Sequence, residues 1–387
     1  METSKAYKKY FIAILVALYA IAALLLFFRY REFKNQNQAE PVAEKVSNKK
    51  NNANQAVPVL KKRNEELNPY KRENKKASAF FEELFLSIYS THYTDIKVKA
   101  FDYSAENVQP KKNQKYFFVE LQKKLVYDSV YELPFVKGME AALLRLDNAS
   151  YAKTVFDKKV AELAAYIGKL QTEYTILAVE TDKTGDFIPE SVSLSTYMEV
   201  QSIDYLVLPG IEQLQTEGKN FLLTAAKYKE SRIPFDNEKA VSYALKFSSN
   251  PKNKEADLSA WNSDYTAHEN DCANFVSQCL YAGGIPQTET WRADSLYWIR
   301  TGSLRTKNGG VMTYMQRKEK FLSVGYAAVS AGGFICLNDE SHVMLVTAND
   351  SITALYNGHT NDRSLFALPH FDTTKAVYLT PNNYGSF

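Results

Sequence analysis

The longest apolar run in the chain is FIAILVALYAIAALLLFF, Phe11 to Phe28, eighteen residues without a charge. At about 1.5 Å per residue, a helix of that length nearly matches a hydrocarbon core of roughly 30 Å. Tyr10 and Tyr30 flank it as interfacial aromatics do. The run closes on LLLFFRYR, which has no small-residue cleavage site, so the pattern predicts an uncleaved transmembrane helix over 11–28 and a cytoplasmic tail over 1–10. Lys5, Lys8 and Lys9 before the span nearly balance Arg29, Arg31 and Lys34 after it, so the flanking charges do not set the orientation.

Beyond the run, residues 29–76 are rich in Asn, Gln, Lys and Glu and have no apolar periodicity, which predicts a flexible basic stalk. From 77 to 230 the pattern changes. AFFEELFLSIYSTHY and YAKTVFDKKVAELAAYIGKLQ carry apolar positions at helical spacing. YTILAVETD, SVSLSTYMEVQ and FLLTAA read as strands, with TGD and PG as punctuation. These alternations predict an α+β accessory domain over 77–230, and KYKESRIPF after it marks a domain edge. His92 is its only histidine, with no partner in sequence reach.

Composition narrows the function. Hydrophobic residues at 45% and charged residues at 24% describe a globular chain of 387 residues, long enough for two or three domains. The net charge of +3 is uneven, because residues 1–76 hold 16 Lys/Arg against 7 Asp/Glu. That places the basic excess on a polar segment rather than a folded face, and excludes a protein-wide nucleic-acid footprint. Instead the stalk suits an anionic surface such as lipid head groups or cell-wall polymers, or acts as a charged spacer. Three cysteines, Cys272, Cys279 and Cys336, give no disulfide framework, and no CxxC or Cys/His cluster points to a metal.

The chemistry concentrates in 236–387. In ENDCANFVSQCLYAGG, Asn270 or Asp271 can cap a helix with Phe275, Val276, Cys279 and Leu280 on one side, ended by Gly283 and Gly284. Cys272 then falls in the first turn, where free N–H groups and the helix dipole favour a thiolate. Cys279 faces the core, and Cys336 in GGFICLND is a strand residue. The run HVMLVTA reads as a strand returning through Asn349–Asp350 to SITALYNGH. A two-residue turn sets His342 opposite Asn357, with His359 on the same face, so one hairpin offers a base and a polar orienter to the cysteine. Asp271 and Asn274 serve the cap or an oxyanion site, and Asp362 is a further orienter should the hairpin pair not serve. Trp291 and Trp298 are spaced for one helix face and for core packing.

The strings DCANFVSQCLYAGG, AVSYALKF, the Trp291/Trp298 spacing, SHVMLVTA and GHTNDR together resemble the putative amidase domain family of exported Gram-positive proteins over about 236–370. That family is similar to the NlpC-like and CHAP-like papain-fold cysteine peptidases. The resemblance implies Cys272 as nucleophile, His342 as base and His359 as third member, with Asn357 the alternative from pairing. One departure is Gly332–Gly333, where the family usually has Gly-Asp.

The resulting expectation is an α+β, papain-like amidase domain over 236–387, preceded by the accessory domain, the stalk and the transmembrane helix. It is a membrane-anchored, extracytoplasmic cysteine amidohydrolase acting on amides such as those of peptidoglycan, without metal or organic cofactor. The rival is a catalytically silent papain-like scaffold that binds a wall component or partner protein. Oligomeric state and substrate are not legible.

Overall fold

The computed structural model describes residues 67–384, apart from 105–112, 147–148, 196–199, 230–232, 253, 255, 304–307, 319, 339–340 and 372–373. The expected tail, transmembrane helix and nearly all of the stalk lie outside the described residues. Among those described, no helix is long and apolar enough to cross a membrane.

Helix α1 (Lys75–Tyr89) begins where the Asn74 side chain accepts the Ala77 N–H, and it buries Phe81, Phe85 and Tyr89. That i, i+4, i+8 stripe lies on a strand ladder, β1 (Tyr93–Asp102), β2 (Gln114–Leu125) and β3 (Leu170–Glu180), all antiparallel. Helices α2 (Pro134–Leu143), α3 (Ala149–Ala164) and α4 (Ile211–Lys227) pack together beside it. FLLTAA, expected as a strand, is the end of α4: Leu214, Gly218, Phe221, Leu222 and Ala225 form a helical stripe that closes on α2. Gly218 is required there, since a Cβ would strike the carbonyl of Phe135. The two short strands β4 (Ser193–Ser195) and β5 (Val200–Ser202) extend from β3.

The second half adds α5 (Asn237–Lys246), α6 (Cys272–Ala282), α7 (Leu296–Ile299), α8 (Val311–Arg317), and β6 (Phe321–Val324), β7 (Phe334–Leu337), β8 (Val343–Asn349), β9 (Ala354–Gly358), β10 (Arg363–Ala367) and β11 (Ala376–Pro381). The strands run β1-β2-β3-β10-β9-β8-β7-β11-β6 in one sheet of eleven, counting β4 and β5. Every pairing is antiparallel except β3 with β10, where Phe366 meets Tyr174 in parallel.

That seam corrects the expected fold class. A papain-like domain on its own antiparallel sheet, preceded by a separate α+β body, is not what the chain forms. One mixed sheet runs through both regions, and the described residues cluster as one compact unit. The seam is reinforced by polar groups. Lys123 on β2 lies 2.5 Å from Glu173 on β3 and 2.8 Å from Thr353 in the β8–β9 turn, all three buried. Tyr93 bonds Asp350 and Thr353 of the same turn, both at 2.8 Å.

Candidate active site

Helix α6 carries the DCANFVSQC string, and each polar residue in it has a structural partner. Asn274 accepts the Trp298 indole N–H at 2.8 Å and donates to the Thr266 carbonyl and Asp271. Ser277 donates to the Trp298 carbonyl and accepts from Trp291 Nε1. Gln278 accepts from Tyr243, and Cys279 is fully buried. Trp291 and Trp298 do pack on one another, with ring centroids 4.6 Å apart, but only Trp298 stands in a helix.

Asp271 occupies the N-cap position without capping through its side chain. Its carboxylate accepts from the His268 N–H at 3.0 Å, from Asn274 at 2.8 Å, and meets His359 Nδ1 at 2.7 Å. The Asp271 N–H donates to Thr360 Oγ1. His359 Nε2 faces the Phe247 carbonyl at 2.6 Å, which can only accept, so that nitrogen carries a hydrogen. The ring lies between Trp261 and Phe275 at centroid distances of 4.2 and 4.0 Å. Both nitrogens are therefore committed to Asp271 and Phe247. His359 holds the helix start in place, and its hydrogen bonds do not run to His342.

Asn357 is equally committed. Its Oδ1 accepts from Thr347 and the Leu365 N–H, and its Nδ2 donates to Ser248 and Ser364. It stitches β8, β9 and β10 to the end of α5. Asp362 accepts from Trp261 Nε1, the Asp257 N–H and Ser249. Burial pushes its carboxyl up to about 6, against a downward pull from His359.

The pairing arithmetic of the hairpin is also corrected. The turn spans four residues, with Asn349 opposite Ala354, and a bulge interrupts the ladder between Val346 and Ala348. Asn357 consequently faces Leu345 rather than His342. Asp350 accepts the N–H groups of Ile352 and Thr353, which shapes the longer turn.

His342 stands just before β8. Side chains alternate along a strand, and Val343 and Leu345 pack in the cluster of Cys272 and Phe275, whereas Met344 packs with Tyr356 on the other face. The imidazole follows Met344: a Cβ on Gly358 would lie 3.7 Å from His342 Nε2 and 3.8 Å from Met344 Cγ.

Cys272 meets the same strand end from the opposite face. The Val343 N–H, the Thr301 hydroxyl and the Ala273 N–H are placed so that they favour its ionised form. Only 6% exposed, the thiol is pushed up by burial, with the Asp271 charge adding to the rise and the three donors opposing it. The expectation that the helix start favours a thiolate is thus outweighed by desolvation. Cys279, buried deeper, is pushed up further.

The Gly333 departure has a steric basis, since a Cβ there would sit 2.5 Å from the Leu379 carbonyl on β11. Beside the start of α6 opens a groove of about 600 Å³, lined by Lys254, Asp257, Trp261, His268, Glu269 and Thr360. Sequence reasoning missed the Asp271–His359 bond. Among the described residues no cluster of His, Cys, Asp and Glu could hold a metal ion.

No curated protein and no solved structure matches the chain. Residues 234–379, less than half of the chain, match the family described as Putative amidase domain, and that match suggests a hydrolase of amide bonds.

Proposed function

We propose that residues 234–379 hydrolyse an amide through Cys272. The observation that carries this reading is Cys272 at the first turn of α6, packed in one buried cluster with Val343, the residue that follows His342. His342 takes the thiol proton as the sulfur–carbon bond forms, and the carbonyl electron pair moves to oxygen. Backbone N–H groups at the helix start receive that oxyanion. The carbon–nitrogen bond then breaks as His342 returns the proton to the leaving amine. Water releases the acid from the thioester and restores the thiol. Base action requires the imidazole to turn from its place beside Met344 around the free end of β8.

The substrate class belongs to the same proposal. Peptidoglycan peptides and an extracytoplasmic placement follow from the resemblance of the DCANFVSQC and GHTNDR strings, and the groove beside Asp271 is the approach a peptide would use. Full-length protein incubated with purified wall material should release fragments with new amine and carboxyl ends. Cys272→Ala protein should release none. Equal release by the two proteins overturns the reading.

A silent scaffold is the second reading, favoured by the buried thiol, the imidazole on the opposite sheet face, and the full engagement of His359. Selective, pH-dependent alkylation of Cys272 over Cys279 and Cys336 distinguishes the enzyme from the scaffold.

A further inference from the structure

We propose that the groove beside the start of α6 binds a peptide segment carrying both an ammonium and a carboxylate group, with Trp261 in its lining. The inference rests on the amide-hydrolase reading of residues 234–379.

The groove is cut largely into the long connection from α5 to α6, and that connection is fixed from several sides. Trp261 Nε1 donates to both oxygens of Asp362, at 3.0 and 2.9 Å, and the Asp257 N–H donates to Asp362 at 2.9 Å. Asn250 donates to the Ser364 carbonyl at 2.9 Å and accepts the Ser364 N–H at 2.7 Å. At the far end the His268 N–H donates to Asp271 at 3.0 Å. Walls held this way give a concavity of about 600 Å³ that exists before a ligand arrives, which spares the cost of ordering it on binding.

Its charges are of both signs. Lys254 and Glu269 line the groove, and among the described residues neither takes part in an ion pair or a hydrogen bond. Asp257 adds a second carboxylate, whose Oδ1 accepts from the Ser259 N–H and hydroxyl. A ligand of one sign meets repulsion from part of this lining. A ligand with separated charges of both signs finds a partner for each. Leu258, 62% exposed, and the Trp261 ring offer apolar surface for a side chain in the same groove.

The groove also touches the parts that hold α6. Trp261 stacks on His359 with ring centroids 4.2 Å apart and planes 8° apart, and His359 Nδ1 lies 2.7 Å from Asp271. Thr360, on the lining, accepts the Asp271 N–H at 2.9 Å. A segment lying in the groove therefore contacts two residues that fix the position just before Cys272.

Trp261 supplies the readout as well. Of the three tryptophans, Trp291 and Trp298 are fully buried, whereas Trp261 is half-buried on the groove, so its fluorescence reports occupancy. Full-chain Cys272→Ala protein, chosen to keep the peptides uncleaved, is titrated with trialanine, N-acetyl-trialanine and trialanine amide. Trialanine should saturate the signal at about threefold to fivefold lower concentration than either capped peptide. Glu269→Gln should shrink its advantage over the acetylated peptide, and Lys254→Gln its advantage over the amide. Equal titration by all three peptides, saturation by none, or unchanged preferences in both variants overturns the proposal. A full signal in Trp261→Phe overturns it too, because the peptide would then lie against another tryptophan. Failure of the hydrolase reading is separate and shows as wall material released equally by Cys272→Ala and wild-type protein, whatever the titrations give.

Discussion

His359 Nδ1 lies 2.7 Å from the carboxylate of Asp271, so the residue just before Cys272 is tied to the end of β9 through two buried side chains. A histidine that the family resemblance gives as the third catalytic member thus acts on the helix that carries Cys272. Removing it deletes an aromatic sandwich and takes the imidazole away from Asp271 Oδ2 and from the buried Phe247 carbonyl. His359→Ala should cost about 3–5 kcal/mol of stability in urea unfolding. Lost turnover at an unchanged unfolding midpoint would instead restore His359 to the chemistry.

Cys272 and Cys279 are separable. Cys272→Ala should abolish hydrolysis with the circular dichroism spectrum kept. Cys279→Ala, at the centre of the cluster under α6, should lower stability by about 1–3 kcal/mol with turnover retained. Full turnover in Cys272→Ala would dismiss the thiol mechanism.

Asp362 gives the fold a pH dependence of definite sign. Its carboxyl titrates at about 6 in the folded chain, above the ordinary carboxylate value, so the folded state holds a proton that the unfolded chain has lost. Its contribution to stability is complete below about pH 4 and is lost as pH rises through 6, on the order of 2–3 kcal/mol. Urea midpoints of Asp362→Asn should be flatter than wild type between pH 4 and 7. Parallel curves would assign the slope to another group.

Lys123 is buried with Glu173 and stands 4.4 Å from the Tyr93 ring centroid. Lys123→Ala leaves Glu173 as an uncompensated buried charge, and should destabilise the chain by about 3–5 kcal/mol. The double variant Lys123→Met with Glu173→Leu should recover much of that loss. A single-variant cost below about 1 kcal/mol would show that the pair is immaterial to the seam.

Placement outside the cytoplasm is tested on intact cells. An impermeant amine reagent should label exposed lysines such as Lys239 without lysis. Labelling only after lysis would remove wall amides from the proposal.

How far the sequence spoke depended on the range of the forces involved. Apolar spacing located α1, α3 and α6, because a helix stripe is written within a few residues. FLLTAA misled because a six-residue apolar run fits strand and helix alike, and only the positions back to Leu214 decide between them. The hairpin was legible but its register was not: Asp350 builds a four-residue turn, and the bulge after Val346 has no local signature. The DC-x-N string marked the helix start correctly, yet the acidic member proved to serve His359, eighty-eight positions away. Nothing local announces that Tyr174 pairs with Phe366.

That last pairing sets an order of events on the ribosome. The β1–β3 meander can form as soon as it emerges, while β10 follows roughly 190 residues later, a delay of about 10–40 s at ordinary elongation rates. β4 covers β3 only at Leu177 and Ala178, so the stretch around Tyr174 waits as an open edge. The nascent chain is therefore most vulnerable to misassociation in the interval when its second half is still being made. Conversely, a chain started at the boundary of the matched family would pair β10 with β9 and leave its other edge without β3 to cover it.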